Sequence, residues 1–249
     1  MDLLEAFEQW NEYIFKAQRE NDLEDLYDLE INGHSTSSFL SDVLRRKQPV
    51  HPLPYSDFKI HDEFLVISKD LKYVTGILFC LRPYIVDTEA LGGRYFQNLP
   101  DRRYLIYCSF GLQLVYNFWD RVGDILHYYF PSKMKPDGVY FGRMKEVIDP
   151  TYKVSQPYQK LVDLYKEVEH LLHLRHVTTH HFQIETKHYW GTIEHSDNTE
   201  ERKIINAEKF AYPEKFKRAL EIFREAFTQS LFLIDLLPDK PPHTESDDN

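Results

Sequence analysis

Apolar positions along this chain recur mainly at helical spacing. Leu3, Phe7, Trp10 and Ile14, then Leu23, Leu26 and Tyr27, fall three or four residues apart, which marks one face of a helix. Asn21-Asp22 reads as a break and a fresh helix start. Three prolines between residues 46 and 62 predict a loop. Residues 63–97 read as a helix, with Pro83 as a kink and Gly92-Gly93 near its end. Residues 101–130 are apolar around most of the helix circumference, the mark of a central bundle helix, and Asp101, after Pro100, is its expected N-cap. A narrow polar strip runs along this helix through Gln113, Asn117, Asp120, Arg121 and Asp124. Residues 131–156 carry Pro131, Pro136-Asp137-Gly138, Gly142 and Pro150 and read as a long loop. Ser155 followed by Pro157 predicts a new helix start. Alternation at Phe182, Ile184, Thr186 and His188 predicts a small β-hairpin around 182–205. The last helix spans about Pro213 to Leu236, with the stripe Phe216, Leu220, Phe223, Phe227, Leu231 and Ile234.

This pattern predicts an all-α fold, a helical bundle of about five to six helices. Residues 1–238 read as a single domain and 239–249 as a disordered acidic tail. The 249 residues, 42% of them hydrophobic and 15% aromatic, suffice for a full core without staples. Cys80 and Cys108 both sit in apolar runs, where a free thiol behaves as a small hydrophobe. That points to a reducing, cytoplasmic setting. MDLLEAFEQW lacks the basic and apolar regions of a signal peptide, and no apolar run is long enough for a membrane helix, so no membrane association is expected.

The net charge of −10 is unevenly placed. Residues 1–30 carry ten Asp/Glu against two Lys/Arg, and residues 239–249 carry four against one. The segment between them is close to neutral. Overall acidity argues against a general nucleic-acid coat protein, yet leaves room for a local anion site in the middle of the chain. The acidic first segment is either a solvated face or a docking surface for a protein partner.

The sharpest chemical signal is Arg175-His176-Val177-Thr178-Thr179-His180. Taking Leu161, Tyr165, Val168 and Leu172 as the inward direction of their helix, Arg175 and His176 lie roughly 50° to either side and Thr179 almost on the axis. The face turns cationic where it should still point inward. A buried unpaired guanidinium costs several kcal/mol, so either partners exist or the face opens onto a cleft. One ordinary reading pairs Arg175 with Asp120 or Asp124 and leaves the histidines to suit the negative helix end. On an ideal helix His180 is roughly 140° from Arg175, so the two would flank a groove.

Arg175-His176-x-x-x-His180 resembles the signature of the HEPN superfamily, the higher-eukaryote and prokaryote nucleotide-binding helical domains: Arg, a polar residue, three free residues, then His. The run YCSFGLQLVYNFWDRVGDILHYYF is also similar to the central helix of bacterial members. The motif covers six residues, and the broader helical likeness spans about 65–236. Residues 1–60 and 182–212 fall outside it. The resemblance implies a metal-independent endoribonuclease or RNA-binding protein, of a toxin or defence type, needing no cofactor and acting as a homodimer with two motifs facing one cleft. It implies Arg175 and His180 as the catalytic pair, with His176, Thr179, Asn117, Asp120, Arg121 and Asp124 in support. Imidazole titrates near neutrality and suits proton transfer. Arginine offers a fixed fork of donors to phosphate oxygens.

Two rival classes stay open. Seven of the twelve histidines lie between 170 and 195, and His176 and His180 have the i, i+4 spacing of two metal ligands on one helix. His173 is a third candidate ligand, whereas nothing in the sequence selects His127. The other rival is a non-catalytic interaction module using the acidic first helix.

Overall fold

The computed structural model describes residues 2–51, 57–89, 97–135, 138–181, 183–195 and 197–241. Among them are ten α-helices: α1 Leu3–Glu20, α2 Thr36–Arg46, α3 Asp57–Leu81, α4 Leu99–Tyr129, α5 Phe141–Val147, α6 Pro150–Lys153, α7 Gln156–His180, α8 Ile184–Glu194, α9 Thr199–Phe210 and α10 Tyr212–Asp235. The fold is an all-α bundle. Its centre is α4, which packs against α3, α7 and α10. No helix among the described residues is long and apolar enough to cross a membrane.

The core follows the periodicity of the long helices. Leu105, Cys108, Leu112, Val115, Phe118, Val122 and Ile125 of α4 are buried, as is the whole α10 stripe from Phe216 to Ile234. Phe118 stacks on Phe223 with ring centroids 3.8 Å apart, and Phe64 of α3 meets Phe118 and Phe227 edge-on. Each such side chain contributes about 1.5–3 kcal/mol through burial, with a further ~0.5–1.5 kcal/mol per well-placed aromatic pair. Both cysteines are free thiols.

Several local expectations are corrected. The segment around 182–205 is not a hairpin but the helices α8 and α9. Its alternation was deceptive because Ile184, His188 and Thr192, the buried residues of α8, satisfy a period of four as well as two. Asn198 then caps α9 by accepting from the Glu201 N–H. Residues 131–156 are not all loop: α5 and α6 lie within them, α6 being capped by Asp149 with Pro150 in its first turn. The N-cap of α4 is Asn98, and Asp101 is the N3 residue that completes its capping box. The helix after residue 63 ends at Leu81 and passes into a 3-10 turn, Arg82–Tyr84, at Pro83; Gly92-Gly93 lies outside the described residues. The loop read at 46–62 closes by Asp57, where α3 begins.

The only strands among the described residues are Glu30–Ile31 and His34–Ser35, joined through Asn32-Gly33. Both turn residues have positive φ, 52° and 77°, as a tight hairpin turn requires. After Asn21 the chain forms only a 3-10 turn, Leu26–Asp28, capped by Asp25. In α1, Ile14 and Ala17 are buried, while Leu3 and Phe7 are 71% and 57% exposed. The C-terminal tail does not come loose at 239. Lys47 donates to Asp239 at 2.6 Å, and the Lys240 N–H donates to the Arg46 carbonyl at 2.7 Å.

Candidate functional site

The motif ends the long helix α7. Ser155 caps that helix by accepting from the Tyr158 N–H. Leu161, Leu164, Val168, Leu171 and Leu174 form its buried stripe. This stripe is rotated from the inward direction expected from sequence, because Tyr165 and Leu172 are only partly buried. They lie on the flank beside it. Continuing in steps of four from Leu172 gives His176 and His180, which follow one another along that same flank with their rings tilted by 51°. Arg175 sits between stripe and flank.

The flank forms one wall of a cavity of about 330 Å³. Arg175, His176 and His180 line it from α7, and Tyr116, Trp119 and Asp120 line it from α4. Tyr140, Phe141 and Gly142, at the start of α5, close the third side. That third side depends on Gly123. A Cβ at this position of α4 would come within 2.6 Å of backbone atoms of Tyr140 and Phe141, a clash that neither backbone could relieve without moving. A glycine here lets the loop seat directly on α4.

Arg175 is bound to α4 by two contacts. Its Nε donates to Gln113 Oε1 at 3.1 Å, and its guanidinium lies 3.8 Å from the Tyr116 ring centroid. Gln113 Nε2 in turn donates to Asn117 Oδ1 at 2.6 Å. Asn117 thus reaches Arg175 through Gln113 and does not line the cavity. The ordinary reading in which Arg175 pairs with Asp124 does not hold, since Asp124 pairs with Arg121 at 2.9 Å. Arg121 and Asp124 stand outside the cavity as neighbours that tune Asp120. His176 and His180 are exposed, with ring centroids 4.6 Å apart.

Thr179 does not offer its hydroxyl to the cavity. Thr178 and Thr179 both donate to the Arg175 carbonyl, at 3.1 and 2.9 Å, which ties their hydroxyls to the last turn of α7. His173 is not among the lining residues. Among the described residues, no group of three His, Cys, Asp or Glu side chains could hold a metal ion. Glu167 of α7 is held by Arg218 of α10 at 2.6 Å.

The electrostatics of the cavity are bipolar. Arg175 brings a positive charge to the lining, and two further cations lie over rings of lining residues: Arg143 over Tyr140 at 5.1 Å and Lys145 over Tyr165 at 5.0 Å. The lining also holds Asp120, whose carboxyl is pushed up to about 6, first by burial and then by the Asp124 charge. Arg121, Arg175 and the Tyr116 hydroxyl act in the opposite direction without cancelling it. Burial also raises Tyr116 and Tyr165. An acid whose folded pKa exceeds its unfolded value contributes stability that is present below the unfolded pKa and is lost as pH rises through the folded one. Relative to Asp120→Asn, the native protein should therefore lose thermal stability between about pH 4 and 6. Parallel melting curves for the two proteins that stay a constant distance apart across this range would disprove the ionisation.

The aromatic lining was not singled out in the sequence. Tyr165 read there as an inward-facing residue, Trp119 belonged to a helix apolar around most of its circumference, and Tyr140 and Phe141 lay in an apparent loop. The one available signal was the flank spacing Tyr165, Leu172, His176 and His180. No family model matches the chain, and no curated protein or solved structure matches it significantly.

Proposed function

We propose that this chain is a HEPN-like, metal-independent endoribonuclease acting on single-stranded RNA at the α4–α7 cavity. The observation that carries the reading is the convergence of Arg175, His176 and His180 on one aromatic-lined cavity, with the imidazoles 4.6 Å apart. Cleavage of RNA through its own 2′-hydroxyl needs three things. A base takes the 2′-hydroxyl proton as that oxygen bonds to phosphorus. A cation holds the phosphate oxygens while charge builds on them. An acid protonates the departing 5′-oxygen. Imidazole serves in either proton step, and a guanidinium suits the second role because it keeps its charge. In this assignment His180 transfers the proton, Arg175 clamps the phosphate and His176 orients its neighbour. A homodimer would place a second such set across the cleft and supply the complementary acid.

The acidic α1 is compatible with this reading, since it packs on α3 and none of its residues lines the cavity. The test is direct. Purified protein, incubated with a varied single-stranded RNA pool in excess chelator, should cut RNA and leave 2′,3′-cyclic phosphate ends. RNA that is bound but never cut would reduce the reading to an RNA-binding module. Cutting abolished by chelator and restored by zinc or nickel would move it to the metal class.

A further inference from the structure

Helices α8 and α9 run antiparallel, as the contacts between them show. Lys187 Nζ donates to both carboxylate oxygens of Glu208, at 2.8 and 2.9 Å. One turn on, Gly191 sits so close to Ile205 that an added Cβ would lie 3.1 Å from its Cδ1. One turn further, the same register sets Glu194 of α8 opposite Glu201 of α9. The crease between the helices is a cavity of about 660 Å³, and all of these residues except Glu208 line it, together with Trp190 and His195. Its two ends are unequal. One closes on its own ion pair. The other presents two exposed carboxylates from different helices. The basic side chains early in α9 are spent elsewhere, Arg202 on Glu89 at 3.4 Å and Lys203 on Glu200 at 2.9 Å. Like charges that share one cavity repel, and a bound cation relieves them. Between the ends stands Trp190, 51% exposed, and indole is the best aromatic partner for a cation. Tyr189, Ile193 and Ile204 are exposed on the same two helices and add apolar surface.

We propose that the α8–α9 crease is a docking site for an arginine side chain presented by a segment of a partner protein. Three features select that occupant. The two carboxylates favour a cation and repel the phosphates of RNA. A guanidinium is planar, so its face can lie on Trp190 while its donors fork to Glu194 and Glu201. An ammonium is a strongly hydrated point charge and gives up both the fork and the stacking. Length decides between a lone ion and a chain. From Lys187 to Glu194 the crease spans about 10 Å, at 1.5 Å of rise per residue, which matches about three residues of extended chain. The net charge of −10 also draws basic partners. None of the crease residues lines the α4–α7 cavity, so this site stands apart from the ribonuclease reading.

The test uses the whole protein and three blocked peptides: acetyl-Ala-Ile-Arg-Ile-Ala-amide and its counterparts with citrulline or lysine in the central place. Citrulline keeps the shape of arginine and lacks the charge. Binding is measured by calorimetry at pH 8, where imidazoles carry little charge. The arginine peptide should bind at least about tenfold tighter than the citrulline peptide, and tighter than the lysine peptide. Glu194→Gln and Glu201→Gln should each cut the preference over citrulline by about threefold or more. Trp190→Leu should weaken the arginine peptide as well. All three positions are exposed, so the fold should hold, and circular dichroism checks that it does. Glu200→Gln removes an exposed acid of α9 that does not line the crease, and it should change nothing. RNA cleavage should be untouched by either glutamine variant of the crease. A protein that cuts no RNA leaves this test intact, since it reads peptide binding alone. No binding of the arginine peptide, equal affinity for the citrulline peptide, or a preference untouched by Glu194→Gln, Glu201→Gln and Trp190→Leu would overturn the proposal. A lysine peptide bound as tightly as the arginine peptide would overturn it too, as would displacement of the arginine peptide by single-stranded RNA.

Discussion

His180→Ala should lower RNA cleavage by about 10²–10⁴-fold, the usual contribution of a positioned proton-transfer group, while leaving the fold intact. The second half follows from exposure: His180 stands free of the core at the last turn of α7, where alanine is a good helix former. Arg175→Ala should cause a loss of similar size for a different reason, because no other lining residue provides a planar fork to the phosphate. It also deletes the bond to Gln113 and the contact over Tyr116, so a modest fall in melting temperature should accompany it. Arg175→Lys keeps the charge and loses both the fork and the stacking. It should recover little. His176→Asn should be the mildest change, since an amide can still orient a neighbour although it cannot carry a proton. Single-turnover rates on a labelled RNA, with circular dichroism for each variant, make the comparison. Rates within threefold of native for both His180→Ala and Arg175→Ala would remove the cavity from the chemistry.

Long amphipathic segments were the legible part of this fold. The α10 stripe, the nearly all-apolar α4 and the Ser155-x-Pro157 start of α7 each carry redundant signals, so periodicity and capping agree. The short helices were not legible. In α5 and α6, prolines and glycines that usually break helices instead stand at helix starts, as Pro150 does after Asp149. In α8 the buried positions 184, 188 and 192 fit two periods at once, and only packing against α4 and α9 decides between them. The Asn32-Gly33 turn carries a hairpin signal, but the two-residue strands on either side leave no alternation to read.

The site was legible in its charged members and illegible in its walls. Arg175, His176 and His180 stood out because they break an apolar face, and Asp120 because it belongs to a polar strip on the central helix. Tyr140 and Phe141 reach the cavity only because the loop before α5 seats on Gly123, a contact between residues far apart in sequence. The true inward direction of α7 also depends on which neighbours it meets. With Leu164, Leu171 and Leu174 turned to the core, Tyr165 and Leu172 are released to line the cavity. Local patterning averages over that choice.

Lys209→Met should destabilise the protein by about 3–5 kcal/mol, the usual cost of stripping one partner from a buried ion pair. Lys209 and Asp101 are both buried, with Nζ 3.1 Å from Asp101 Oδ1. Burial pushes the ammonium pKa down and the Asp101 charge opposes that shift, so the two charges depend on each other. Lys209 also donates to the Val86 carbonyl, and Asp101 Oδ2 accepts from the Val86 N–H at 3.0 Å. The Tyr104 hydroxyl donates to the Lys209 carbonyl at 2.7 Å. The pair therefore joins the end of α9, the start of α4 and the segment after Pro83. Methionine fills much the same volume, so the loss would come from the charge left on Asp101 rather than from a cavity. That distinction gives the decisive measurement. Lys209→Met combined with Asp101→Leu leaves no buried charge, and it should recover a large part of the stability lost in the single variant. At roughly 2–4 °C per kcal/mol for a chain of this size, the single variant should melt about 10 °C lower. A double variant no more stable than Lys209→Met alone would mean that the bond Asp101 accepts from the Val86 N–H and its place in the α4 capping box outweigh the relief of its charge. A single variant within about 1 kcal/mol of native would mean that water reaches Asp101 and the pair does not hold the three segments together.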